Sequence, residues 1–137
     1  MYVLDSDYLS LLAHANSQSG RHLRQRMEEI GVSEFATTIA NYEEQTRGWL
    51  AFAAKARRVA ELIDAYARLQ KHLSLYCSIR ILAFDDLAAT RFQALKSSKT
   101  GVGTIDLRIA SIVLTHDATL LSRNLGDFRR VPGSRST

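Results

Sequence analysis

The chain is poor in the residues that mark secreted, membrane-bound or fibrous proteins. Its 137 residues include one cysteine, one proline and one tryptophan. A lone Cys77 cannot form an internal disulfide, so a disulfide-stapled scaffold is excluded. A reducing, cytoplasmic compartment is expected, with Cys77 as a buried, inert thiol. One proline and seven glycines leave little room for linkers or low-complexity tracts, and no internal repeat is visible. No apolar run approaches the ~20 residues of a membrane span. The opening does not read as a secretory signal, because Asp5 and Asp7 interrupt it and no basic stretch precedes it. The histidines His14, His22, His72 and His116 show no metal-ligand spacing with Cys77, which argues against zinc. No serine sits in G-x-S-x-G, TGVGT lacks the lysine of a phosphate-binding P-loop, and GVGTID is only a truncated dinucleotide fingerprint. Gly101 and Gly103 therefore read as loop flexibility ahead of a helix.

What remains is globular in composition, with 46% apolar and 23% charged residues. The length fits a single domain spanning residues 1–137, large enough for a real core. Eighteen basic against fourteen acidic residues give a net charge of +4. That excess suits an anionic partner such as nucleic acid as well as it suits an ordinary solvated surface. The arginines cluster at Arg21, Arg24 and Arg26, and again at Arg123, Arg129, Arg130 and Arg135.

Periodicity alternates between strand and helix. Tyr2 to Asp5 reads as a short buried strand, and Asp7 to about Ala15 as a helix with Asp5 or Ser6 as its cap. NSQSG reads as a loop, Arg21 to Ile30 as a basic helix ended by Gly31, and SEFATTI as a second strand. Ala40 to about Ala54 is helical, with Trp49 expected in the core. Val59 to Tyr76 is the clearest amphipathic helix, its apolar stripe expected to be core or an interhelix seam. Ser78 to Ala83 reads as a third strand, followed by a helix starting at Asp85 or Asp86. KSSKTGVGT reads as a basic loop, with Thr104 capping the helix beyond it. Thr119 to Ser122 reads as a fourth strand, followed by RNLGDF. This alternation predicts an α/β fold with a mainly parallel sheet, whose ligand sites lie beyond the carboxyl ends of the strands.

That rule draws attention to four acids. Asp5 ends the first strand, Glu44 lies in the first turns of the helix after the second, Asp106 starts the late helix, and Asp127 follows the fourth strand. Each alone has an ordinary reading: a cap, a helix-dipole partner, a solvated charge or a turn residue, with Glu43 paired to Arg47. Together they would share one rim of a parallel sheet. Like charges brought together repel, and a divalent cation with a preference for oxygen, Mg²⁺ or Mn²⁺, removes that cost.

Four stretches of the chain resemble the PIN-domain ribonucleases, and within them the VapC-type toxins of bacterial toxin–antitoxin pairs. They are YVLDSDYLSLL, TTIANYEEQTRGW, GTIDLRIASIVL and LLSRNLGDF, in order and over nearly the whole chain. The resemblance implies a three-layer α/β/α fold with a mainly parallel sheet of four to five strands. It implies an endoribonuclease using one or two Mg²⁺ or Mn²⁺ ions held by Asp5, Glu44, Asp106 and Asp127, leaving a 5′-phosphate and a 3′-hydroxyl. Glu44 is preferred over Glu43 because it precedes Gly48 by four residues, as the family's glutamate commonly does. The resemblance further implies auxiliary roles for Ser6, Asp7, Thr104 and Asn124. Lys96, Lys99, Arg123, Arg129 and Arg130 are candidates for holding the RNA backbone by charge. Partners implied are RNA, a small antitoxin and a second copy of the chain, with part of the Val59–Tyr76 stripe as a protein interface. Relatives usually continue past the last Pro-Gly with another short β segment. Here the chain stops at VPGSRST, so that edge strand is expected to be missing or very short. The competing readings are a PIN-like nuclease of RNA processing or DNA, a non-catalytic binding module, and a doubly wound nucleotide-binding domain, the last disfavoured by the absent glycine motif.

Overall fold

The computed structural model describes residues 1–14 and 16–137. Five strands form one sheet: β1 (Tyr2–Leu4), β2 (Phe35–Thr38), β3 (Arg80–Leu82), β4 (Thr119–Leu121) and β5 (Arg135–Ser136). Every pairing is parallel, in the order β3-β2-β1-β4-β5. The helices are α1 (Ser6–Ala13), α2 (Gln18–Ile30), α3 (Ile39–Ala54), α4 (Val59–Cys77), α5 (Asp86–Ser97), α6 (Thr104–Thr115) and α7 (Leu125–Phe128). The expected end of the first helix near Ala15 lies outside the described residues.

Strand alternation sorts the core into two layers. Val3, Ala36, Leu82 and Leu120 point to one face, where Ala88, Leu95, Ile109, Ile112, Val113 and Phe128 from α5, α6 and α7 cover them. Leu4 and Phe35 point to the other face, packed with Leu9, Met27 and Tyr76 from α1, α2 and α4. The result is the expected α/β/α sandwich, with the central strands buried on both faces.

Several local expectations are corrected. The strands are shorter than the apolar runs that mark them, because parallel pairing ends once the chain turns into a helix; Ser78 caps α4 and does not join β3. The NSQSG loop is partly helical: Ser17 accepts a hydrogen bond from the Gly20 N–H, and α2 begins at Gln18. At α6 the cap position belongs to Gly103, whose carbonyl accepts from the Leu107 N–H, and Thr104 is the first helical residue. Asp85 caps α5 through the Ala88 N–H. Cys77 is exposed, because it ends α4 on the solvent side. Trp49 is only half-buried; it meets Phe52 edge-on, and Arg68 lies over its ring. The α4 stripe is only partly core: Ala65, His72 and Tyr76 are buried, while Val59, Ile63, Tyr66 and Leu73 face solvent. The last edge strand exists but is very short, two residues long.

Gly20 sets how closely α2 follows α1. A Cβ there would lie 2.5 Å from the carbonyl oxygen of His14 and 2.6 Å from that of Leu11. Both are backbone atoms that cannot swing away, so Gly20→Ala is expected to destabilise the fold by about 1–3 kcal/mol, the usual cost of overpacking. Urea unfolding measures this; an unchanged midpoint would mean that the α1–α2 turn adjusts freely.

Candidate active site

Strand order determines where a crevice opens. From β1 the chain steps outward to β2 and β3, then returns across β1 to lay down β4 and β5. The connections leaving β1 and β4 therefore diverge to opposite faces, and a crevice opens at their carboxyl ends. Asp5 and Ser122 stand at this point, one residue past the paired Leu4 and Leu121.

Asp5 occupies the cap position of α1, yet its side chain makes no cap hydrogen bond. Its carboxylate turns across the switch point instead. Oδ1 accepts from Asn41 Nδ2 at 2.7 Å, and Oδ2 accepts from Ser122 Oγ at 2.6 Å. The carboxylate is buried, so both oxygens need such donors. Asn41 is fully buried and saturated: Nδ2 also donates to Ser6 Oγ, and Oδ1 accepts from Thr38 Oγ1 at 2.7 Å. Neither Asn41 nor Ser122 stood out in the sequence. A signal existed for each: Asn41 lies one helical turn before Glu44 on the same face of α3, and Ser122 ends β4 as Asp5 ends β1.

The other acids attach to this frame. Glu44 Oε1 accepts from Ser6 Oγ at 2.9 Å. Asn124 Nδ2 donates to Asp106 Oδ2 at 3.3 Å and to Asp127 Oδ2 at 3.2 Å, and its backbone N–H donates to Ser122 Oγ. Ser122 thus joins the pair Asp5–Glu44 to the pair Asp106–Asp127. Asp7 does not face the other acids. It accepts from the Tyr8 N–H and, at 2.6 Å, from the Arg123 N–H, tying the loop after β4 to α1. Glu43 turns away as well, held by Arg47 at 2.7 Å and Arg108 at 3.5 Å. Thr104 makes no cap bond, and Asn124 orients Asp106 in its place.

The electrostatics register the gathering. Burial, with the charges of Asp5, Glu44 and Asp127, pushes the Asp106 carboxyl up to about 6, partly offset by the Asn124 hydrogen bond. Burial and the charges of Asp5 and Glu44 also raise the Tyr76 phenol, which stays protonated as a donor. The acids line a shared rim without closing on one point. Among the described residues, no three histidine, cysteine or carboxylate side chains form a ready-made metal cage. The donor chemistry still suits a hard divalent ion: four carboxylates, oxygen donors only, with burial and their like charge together raising Asp106. Lys96, Lys99, Arg123, Arg129 and Arg130 are exposed, and among the described residues none of them forms an ion pair. The Arg130 guanidinium lies beside Gly101, so the segment after α7 and the loop before α6 are neighbours.

A model of the PIN domain matches residues 2–134. A comparison with curated proteins found no match. Among solved structures, VapBC2 from Rickettsia felis, bound to a DNA fragment from its promoter, superposes with a TM-score of 0.75 at 19% identity, covering 99% of this chain and 96% of that one. DNA-bound VapBC from Salmonella typhimurium gives 0.73 at 21% identity, and FitAcB from Neisseria gonorrhoeae 0.70 at 20%, each covering 99% of this chain and 96% of the other. At these identities the likeness is one of fold.

The Asp106 environment makes a stability prediction. A carboxyl whose pKa is higher in the fold than in the unfolded chain costs stability once ionised, so its contribution falls as pH rises from about 4 through about 6. In chelator at pH 7.5, Asp106→Asn is expected to melt a few degrees above wild type, on the order of 1 kcal/mol after solvent screening. The gap should close towards pH 4. An unchanged or lower melting temperature at pH 7.5 would mean that neither burial nor the neighbouring acids penalise the Asp106 charge.

Proposed function

The chain belongs to the PIN-domain family, and from that premise we propose that it is a divalent-metal-dependent endoribonuclease acting as the toxin of a toxin–antitoxin pair. One observation carries the reading: acids from four separate segments are wired together at the β1–β4 switch point through Ser6, Asn41, Ser122 and Asn124. Helix capping does not account for this, since Asp5 sits in a cap position and spends both carboxylate oxygens elsewhere.

Asp5, Glu44, Asp106 and Asp127 are the proposed ligands of one or two Mg²⁺ or Mn²⁺ ions. The bound metal supplies water activation, orientation of the scissile phosphate and neutralisation of its charge. The chain's own residues do the rest. Asn41 and Ser122 hold the Asp5 carboxylate in one orientation. Ser6 holds Glu44, and Asn124 spans Asp106 and Asp127. Glu44 is preferred to Glu43, which its two arginines occupy. Lys96, Lys99, Arg123, Arg129 and Arg130 are the proposed contacts to the RNA backbone, and such contacts weaken with added salt. The exposed apolar residues of α4, Val59, Ile63, Tyr66 and Leu73, are proposed as part of the surface for an antitoxin or a second copy. Among the described residues no helix is long and apolar enough to cross a membrane, and a cytoplasmic location is proposed from the unpaired cysteine.

The test follows melting temperature and RNA cleavage together as Mn²⁺ is titrated. Wild type should melt higher with Mn²⁺ and cleave RNA. Asp5→Asn and Glu44→Gln should each lose about a hundredfold or more in cleavage, while Glu43→Gln stays near wild type. Folded wild-type protein with metal-independent melting and no cleavage would favour a non-catalytic binding module. Preferred cleavage of duplex DNA would move the substrate to DNA. A reversed order for the two glutamate variants would exchange their roles.

A further inference from the structure

Ser6 is the junction through which Glu44 is held, and Ser6 is itself held from an unexpected direction. Gln45 Nε2 donates to the Ser6 carbonyl at 3.1 Å and approaches Ser10 Oγ at 3.4 Å. Gln45 Oε1 accepts from the Tyr76 hydroxyl. Tyr76 lies near the end of α4, 31 residues from Gln45 in sequence, and is 3% exposed. Its ring is fixed on two sides, edge-on to Tyr42 at 5.0 Å and tilted against His72 at 4.8 Å. A phenol gripped this way cannot swing to follow its partner, so the amide of Gln45 must come to it. A primary amide has one acceptor end and one donor end. With its oxygen turned to Tyr76, its nitrogen faces the first turn of α1.

We propose that Gln45, braced by Tyr76, is a positioning residue that holds the first turn of α1 in register with α3 and so presents the Ser6 hydroxyl to Glu44. On this account α4 takes part in the site from a distance. Asn41, Glu44 and Gln45 form one face of α3, on which Asn41 orients Asp5, Glu44 projects to the rim, and Gln45 sets the serine between them. The consequence for metal binding rests on the nuclease reading; the positioning of Glu44 does not.

Two variants isolate the contact. Tyr76→Phe removes one oxygen and leaves the ring stack, and Gln45→Met keeps length while losing both polar ends. Arg68→Met is the control, because it removes the guanidinium lying over Trp49 and Phe52 between the same two helices, a contact in which Gln45, Tyr76 and His72 take no part. The first readout is the side-chain carboxyl resonance of Glu44 in ¹³C-glutamate-labelled, metal-free protein, assigned by its loss in Glu44→Gln. It is expected to move in Tyr76→Phe and Gln45→Met and to stay in place in Arg68→Met. The second is the Mn²⁺ midpoint for thermal stabilisation and RNA cleavage, expected to rise about tenfold in the first two variants, as for lost supporting contacts around metal ligands, with near-normal cleavage at saturating Mn²⁺. A stationary Glu44 resonance in folded Tyr76→Phe overturns the proposal. So does an equal displacement in Arg68→Met, which would assign the effect to general helix packing. If Gln45→Met does not fold, Tyr76→Phe decides alone. A displaced resonance in protein that binds no Mn²⁺ leaves the positioning standing and removes the nuclease reading.

Discussion

The arrangement depends on one carboxylate held from both sides. Asp5 leaves the end of β1 into a buried position, where an unpaired charge would be strongly unfavourable. Asn41 from the start of α3 and Ser122 from the end of β4 each supply a donor. The Ser122 bond crosses the switch point of the sheet, joining the half of the chain that builds β1 to β3 to the half that builds β4 and β5, while the Asn41 bond ties the end of β1 to the helix after β2. Loss of either donor would leave a buried charge short of a partner, which is costlier than loss of an ordinary surface hydrogen bond.

The remaining polar groups follow from that anchor. Ser122 also receives the Asn124 N–H, and the Asn124 amide then reaches Asp106 and Asp127. Asn41 also meets Ser6, and Ser6 meets Glu44. The two pairs of acids are thus held by one connected set of amides and hydroxyls. Such a network is favourable when its buried members are satisfied, and among the described residues no buried side-chain polar atom lacks a partner. At its open edge burial, and then the like charges of Asp5, Glu44 and Asp127, raise the pKa of Asp106, so the acids remain in tension. A divalent cation is the natural complement of that tension.

Helices α3 and α4 serve two ends at once. Towards the sheet they deliver Asn41, Glu44, Gln45 and Tyr76 to the rim. Towards solvent they leave Leu50, Phe52, Val59, Ile63, Tyr66 and Leu73 without cover. An amphipathic stripe with only some of its residues buried is a surface as much as a core, and in this fold the same helix pair supports the proposed chemistry and offers apolar area to a partner.

Alternating apolar periodicity determined the α/β class, the parallel sheet and the rough order of elements, because burial on two faces and on one stripe leaves different repeats in a chain. Spacing after a strand also marked Asp5, Glu44 and Asp127 as neighbours, since a parallel sheet puts all its strand ends on one rim; Asp106 follows a helix, and its place beside them was settled by the fold. Other features were decided only by tertiary structure. Whether the Asp5 carboxylate caps a helix or spans a crevice depends on donors 36 and 117 residues away. Glu43 and Glu44 are adjacent and chemically alike, and only the placement of Arg108 on α6 and Ser6 on α1 separates them. Gln45 and Tyr76 carry no signature of their own, and Asn41 and Ser122 only that of their position, because a hydrogen-bonding amide or hydroxyl takes its role from what it touches. Which residues of the α4 stripe stay exposed was likewise decided by the tertiary structure: hydrophobic periodicity records that a face avoids water but not which surface covers it.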